Sequence, residues 1–374
     1  MRFNVSSTSL CNRLQTISRV QSSKNALPIL DCILFELQNG ELKLTASDSE
    51  TTMMSHIDVT DADGEGKFAI ESKQLINSIK EISEQPITIN VDLQTFAIEI
   101  NYQNGKYNFV GQNGYEYPVP QSINGSTRQL SLDSQVMLNG ISRSLFAAAD
   151  DELRPQMNGV YFDMAADSIT FVASDGHKLV RDRVHSVHPE GPSAFILPKK
   201  PALLLKAVLP KDEGEAIVRF DDRNAEISLA DYTISCRLIE GRYPNYNSVI
   251  PTDNPFRVTV DRLAFISALR RVSVFASQSS SLIKLQVDNN TLTVSAQDLD
   301  FSTSAEEHIM CEYDGTSMSI GFNGPFLIDV LNSISCQDIV LELADPSRAG
   351  VITPADQEEN EDLLMLLMPM MLND

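Results

Sequence analysis

An α+β fold of three tandem copies of one unit, each with two helices packed on antiparallel sheets, is predicted by three recurrences in the sequence. A strand–helix opening recurs as RFNVSSTSLCNRLQTI, RQLSLDSQVMLNGISRSL and FRVTVDRLAFISALRRVSVF, beginning at residues 2, 128 and 256. A hairpin pattern recurs as LQNGELKLTASDSE (37–50), MAADSITFVASDGH (164–177) and VDNNTLTVSAQDLD (287–300). Its aspartates, Asp48, Asp175 and Asp298, stand 127 (48 to 175) and 123 (175 to 298) residues apart. A second strand–helix pair recurs as KFAIESKQLINSIKEI, AFILPKKPALLLKAVL and MSIGFNGPFLIDVLNSI. Solenoid repeats run about 20–50 residues, so a period near a third of the 374-residue chain signals whole domains of one fold.

Within each copy the opening strand alternates apolar and polar residues, and its helix is amphipathic. The hairpin stretch turns at Asn, Asp or Gly and then alternates, as a half-buried strand does. The second strand breaks before a second helix. The copies close with KYNFVGQNGYEYP, YTISCRLIEGRYPNY and LLMLLMPM, each a strand followed by an aromatic residue or Met and then Pro. The apolar C-terminal run is therefore expected to be the last sheet strand of the third copy, with only MPMMLND running past it. Two helices cannot cover both faces of such a sheet, so both are expected on one face. The expected domains are 1–125, 126–252 and 253–374.

At 42% hydrophobic and 21% charged residues, the composition is that of an ordinary globular protein. No apolar run approaches the ~20 residues that span a bilayer. The first residues lack the apolar core of a signal peptide, so a cytoplasmic location with no membrane partner is expected. The five cysteines, Cys11, Cys32, Cys236, Cys311 and Cys336, form no CxxC and read as small core residues of a reducing compartment.

Lys and Arg number 29 against 51 Asp and Glu, a net charge of −22. As a whole-surface property this argues against nucleic acid, yet a local patch can be positive on an acidic protein. The cations collect in the helices: Arg13, Arg19, Arg143, Arg262, Arg270 and Arg271 in the first helices, and Lys73, Lys80, Lys199, Lys200, Lys206 and Lys211 in the second. Lys24 and Arg154 follow first helices, and the carboxylates gather in turns such as ASDSE, KDEGEA and QEENED. Helices facing one way would give a basic face opposite an acidic one. Such a face would meet phosphates, so DNA binding would be salt-sensitive and independent of sequence.

No catalytic or metal constellation stands out. Asp48 with Glu50 and Asp298 with Asp300 are spaced as two-metal carboxylates, but an Asp at the same point of all three copies reads better as a turn former. DADGEG (61–66) resembles a calcium loop without its later ligands, and His185 with His188 reads as chance exposure. There is no GxxxxGK[ST], so any loading onto DNA needs a separate ATPase. No enzyme activity and no cofactor are expected.

Over its whole length the chain resembles the bacterial sliding clamp, the β subunit of DNA polymerase III. The likeness rests on LPIL (27–30), NGV (158–160), SDGHKL (174–179), GRYPNY (241–246), GFN with DVLN (321–332) and MPMML (368–372). The resemblance implies the DNA clamp fold in a head-to-tail homodimeric ring, helices inside, encircling double-stranded DNA without sequence preference and tethering the replicative polymerase, the clamp loader and repair proteins through short linear motifs. It implies DNA contact by Lys24, Lys73, Lys80, Arg154, Lys199 and Lys200. It implies a peptide groove of Met157, Ser174, Gly176, His177, Lys178, Leu179, Pro244, Val249, Met368, Pro369, Met370, Met371 and Leu372. Met suits such a groove because it repacks around different ligands. It implies dimer contacts between Tyr107 and Phe109 of one chain and Val274 and Phe275 of the other. The chain departs from the family at Asn247 and Ser248, where basic residues are common, at the DDEL stretch in place of His-Gln, at Met371 in place of a basic residue, and in the extra Asn373 and Asp374. The alternative is a multi-domain scaffold that binds peptides and no DNA.

Overall fold

In the computed structural model the described residues are 1–25, 27–120, 123 and 127–372. Asn373 and Asp374, and the expected boundary at 125 and 126, lie outside them.

Among the described residues the six α-helices are α1 (Ser7–Ile17), α2 (Ser72–Ile79), α3 (Ser134–Ser144), α4 (Lys199–Val208), α5 (Arg262–Ser273) and α6 (Gly324–Ser333). They start where the sequence supplies caps. Side chains of Ser6, Glu71, Asp261 and Asn323 accept backbone N–H groups of the first turns of α1, α2, α5 and α6. Each such cap contributes about 1 kcal/mol. Each third of the chain repeats one order: strand, helix, three strands, strand, helix, three strands. The first third adds two short strands, Thr60–Asp63, where DADGEG begins at a sheet edge, and Gln112–Asn113. Asn39 with Gly40 and Asn289 with Asn290 take positive φ, as two-residue hairpin turns require.

The chain divides into two compact units. The first comprises residues 1–138 and 200–238, the second 139–199 and 239–374. The middle third contributes to both.

The first unit holds two sheets. A five-stranded sheet runs Thr60–Asp63, Arg2–Ser6, Pro86–Val91, Ala97–Tyr102, Gly105–Val110. A nine-stranded sheet joins strands of the first and second thirds where Thr51–Asp58 pairs with Tyr232–Arg237, Ser55 opposite Tyr232 and Thr51 opposite Cys236. The helices α1 and α2 pack together.

The second unit is built on one twelve-stranded antiparallel sheet. The middle and last thirds of the chain join in it at the central seam between its fourth and fifth strands, Lys178–Val184 and Glu361–Leu367, with Lys178 opposite Leu367 and Val184 opposite Glu361. The C-terminal strand thus has a neighbour on each side, Gly350–Pro354 being the other. Leu363, Met365 and Leu367 enter one core cluster and Leu366 another. A strand covered on both faces needs an unbroken apolar run, which is why the acidic chain finishes on LLMLL.

Among the described residues no helix is long and apolar enough to cross a membrane. Four cysteines are buried and Cys336 is partly so, all as free thiols.

Candidate functional site

The three repeated aspartates are turn formers. Asp48 Oδ1 accepts from the N–H of Glu50 and Thr51, at 3.0 and 2.7 Å. Asp175 Oδ1 accepts from His177 and Lys178, at 2.8 and 2.9 Å. Asp298 Oδ1 accepts from Asp300 and Phe301, at 3.0 and 3.2 Å. Each carboxylate closes the turn after a strand. Among the described residues no cluster of His, Cys, Asp and Glu is arranged to hold a metal ion.

In the first unit, Lys24 is exposed in the loop after α1, and Lys73 is exposed on the first turn of α2. Lys80 caps the C-terminus of α2, where a cation favours the helix dipole, and lies 3.8 Å from Glu81. Lys200 pairs with Asp48, which its turn already holds.

In the second unit, Arg154 and Lys199 are both ion-paired. Arg154 Nε donates to Asp151 Oδ2 at 2.7 Å, and Lys199 Nζ lies 2.7 Å from Asp150 Oδ2. The loop carrying these carboxylates is closed on itself. Ala149 N–H donates to Met157 O at 2.8 Å, and Asp151 and Asn158 exchange bonds of 2.9 and 3.0 Å.

Of the six first-helix arginines, Arg19, Arg270 and Arg271 are exposed, and four are held by carboxylates or carbonyls. Arg143 is half-buried against Asp182 and Glu361, at 3.3 and 2.6 Å. Arg13 pairs with Asp231 and lies over the Tyr232 ring. Arg262 donates to the carbonyls of Cys336 and Leu331, and Arg271 forks onto Glu307 with two bonds of 2.6 Å. Carboxylates and carbonyls of neighbouring strands, turns and the helix α6 lie within reach and bind these guanidinium groups.

The groove residues all fall in the second unit. Ser174, Lys178, Leu179 and Met157 are buried, while Gly176, His177, Pro244, Val249, Met368 and Met371 are exposed. Lys178 Nζ bonds Asp175 at 2.5 Å and sits 3.9 Å over the Phe326 ring. Burial pushes the Asp175 carboxyl up, but Lys178 and the two turn N–H groups outweigh it and leave it below its ordinary range. Tyr243 and Tyr246 pack with Leu179 and Leu366, which holds Pro244 and Val249 beside the central seam.

Past the strand, the tail is fixed by its backbone. Met368 N–H donates to His177 O, and Met370 N–H to Gly321 O, both at 2.8 Å. A Cβ on Gly321 would lie 2.7 Å from Met370 O and 2.9 Å from Leu372, so only glycine lets the tail lie this close. Phe326 and Gly321, which hold Lys178 and the tail, stand outside the groove set expected from the sequence. Both lie in the recurring GFN-to-helix segment, but the contact depends on a tail remote in sequence.

Tyr107 and Phe109 are half-buried on Gly105–Val110, with ring centroids 6.5 Å apart. Val274, just past α5, is 78% exposed and Phe275 38%. Val110, 84% exposed, is an apolar neighbour the sequence reading left out.

Three family models match in succession: the N-terminal domain of the DNA polymerase III beta subunit over residues 1–121, its central domain over 131–245 and its C-terminal domain over 247–371. The beta sliding clamp of Pseudomonas aeruginosa is 24% identical over 373 residues, covering 100% of both chains. That of Synechocystis sp. is 28% identical and covers 92% of this chain and 93% of its own. Among solved structures, the P. aeruginosa clamp bound to griselimycin superposes with a TM-score of 0.93 at 24% identity over all of both chains. The Thermotoga maritima DNA polymerase III beta subunit superposes at 0.90, also at 24% identity and full coverage.

Proposed function

The chain belongs to the DNA polymerase III β-subunit family, and from that membership we propose how its three repeats serve as a DNA sliding clamp. A clamp of this family is an accessory processivity subunit and does no chemistry of its own. In our reading the three domains, 1–125, 126–252 and 253–374, join those of a second copy head to tail in a closed ring. Duplex DNA passes through, and the helices face it. The protein works in the cytoplasm.

The observation that carries this reading is the threefold recurrence of one strand–helix order, with lysines on the second helices of the first two copies, α2 and α4. Lys24, Lys73, Lys80, Arg154, Lys199 and Lys200 contact phosphate in this reading. Phosphate carries no sequence information, so these contacts position the ring and let it slide. The ring need not grip, since linkage holds it on DNA and keeps a tethered polymerase at high effective concentration. The edge strand Gly105–Val110 has a partner on one side only, which supports pairing with a second copy through Tyr107 and Phe109 against Val274 and Phe275. The residues around Lys178, Pro244, Val249 and the Met-rich tail take short apolar motifs from the polymerase, the clamp loader and repair proteins.

The test is topological. Loaded by a clamp loader onto nicked circular DNA, the protein is expected to stay bound through gel filtration and to be lost once the circle is cut. Equal retention on circles and linear DNA would refute encirclement. Binding to client peptides with no DNA retention at all would instead select the peptide scaffold, which the net charge of −22 favours.

A further inference from the structure

The second unit contains carboxylates placed as competitors for its own DNA-contact cations. Asp150 Oδ2 stands 2.7 Å from Lys199 Nζ, and Asp151 Oδ2 accepts from Arg154 Nε at 2.7 Å. The Arg154 guanidinium is also tied through Nη2 to the carbonyl of Asp175 at 3.3 Å. The Asp151 side chain is held by its own loop as well as by Arg154. Asp151 Oδ1 accepts from Leu153 N–H at 2.8 Å, and Arg154 N–H donates to Asp151 O at 3.3 Å. The loop's closure onto Met157 and Asn158 holds the backbone from which both carboxylates project. Asp150 is 88% exposed on its side chain, so no burial or packing demand accounts for its charge.

We infer that Asp150 and Asp151 act as an internal substitute for phosphate, an autoinhibitory contact that weakens the hold of Arg154 and Lys199 on the DNA backbone. The inference rests on the reading of these two cations as DNA contacts. A phosphate can be engaged only by breaking or sharing the existing pair, so each cation binds DNA at the net value of an exchange. An exposed ion pair shifts an equilibrium by up to about fivefold, so two pairs shift it by up to about twenty-five-fold. Counterion release is blunted too. A cation already neutralised by a carboxylate adds less than the full ~0.9 to the salt slope that a free one contributes on B-form DNA. The consequence is a ring that is held by linkage and slides easily over this stretch.

The test is equilibrium binding of a short linear duplex to the full-length protein, followed by fluorescence anisotropy across a salt series. Asp150→Asn with Asp151→Asn keeps the shape and the turn acceptor while removing both charges. It is expected to tighten binding about 5- to 20-fold at low salt and to steepen the salt slope by about 1 to 2, with the gain vanishing at high salt. In an Arg154→Ala/Lys199→Ala background the same two changes are expected to do nothing. A gain that persists in that background overturns the inference, because it then reflects bulk charge. An unchanged Kd and slope for the Asn variant, while Arg154→Ala/Lys199→Ala weakens the parent, overturns the inference and leaves the DNA reading standing. If the Ala changes also leave DNA binding untouched, both fail.

Discussion

Asp182 is fully buried beneath the central seam of the second unit, sharing Arg143 with Glu361. Burial pushes its carboxyl up to about 6; Arg143 opposes the shift, and the nearby charges of Glu361 and Asp362 add to it. A carboxyl raised above its unfolded value of about 3.9 favours the folded state fully below that pH, and the contribution is lost as pH rises through 6. The span corresponds to ~3 kcal/mol. Urea denaturation of Asp182→Asn and the parent at pH 5 and pH 7.5 checks this. The variant is expected to gain at least ~1 kcal/mol on the parent between the two, and parallel curves would count against it. Arg143 also shows where residue-level reading stops. In the sequence it is one more helix cation, and only the strand across from it makes it a core ion.

At the scale of elements, packing sets what each helix and strand tolerates. Gly140 sits inside α3 where alanine would favour the helix by about 1 kcal/mol. Yet a Cβ there would lie 2.4 Å from the buried Phe171 ring. Gly140→Ala is expected to destabilise the protein by about 1–3 kcal/mol, read as a lower urea midpoint. An unchanged or raised midpoint would mean that the ring gives way freely. Gly321→Ala acts on the tail. It is expected to displace residues 368–372 and weaken a clamp-binding client peptide at least tenfold, with circular dichroism unchanged. Full peptide affinity, measured by calorimetry, would separate the tail from peptide docking.

For the whole molecule, the free edge at Gly105–Val110 and the exposed Val274 set the expectation for assembly. The parent is expected to sediment at twice the chain mass. Val274→Asp adds a charge at a site already open to solvent, so folding is expected to be unaffected while the dimer gives way to monomer. A dimer unaltered by that change would remove Val274 from the interface. In the proposed clamp the six cations read as DNA contacts are each weak alone, several are paired with carboxylates, and retention on DNA comes from closure of the ring.

The sequence by itself determined what is local and periodic. Hairpin turns at Asn39 with Gly40 and at Asn289 with Asn290, caps at Ser6, Asp261 and Asn323, and the threefold order of strands and helices are each encoded within a few neighbouring residues. The family and the turn role of Asp48, Asp175 and Asp298 were legible for the same reason. Only the tertiary structure decided which charges remain free. Whether Arg143 or Arg271 meets a carboxylate depends on partners 39 and 36 residues away, brought near by packing of the helices on the sheet. It also decided that the Leu-rich C-terminal strand is an interior one, because burial on two faces is a property of the assembled sheet. Local sequence fixes backbone preference, whereas Coulomb and contact energies depend on distances that exist only once remote segments meet.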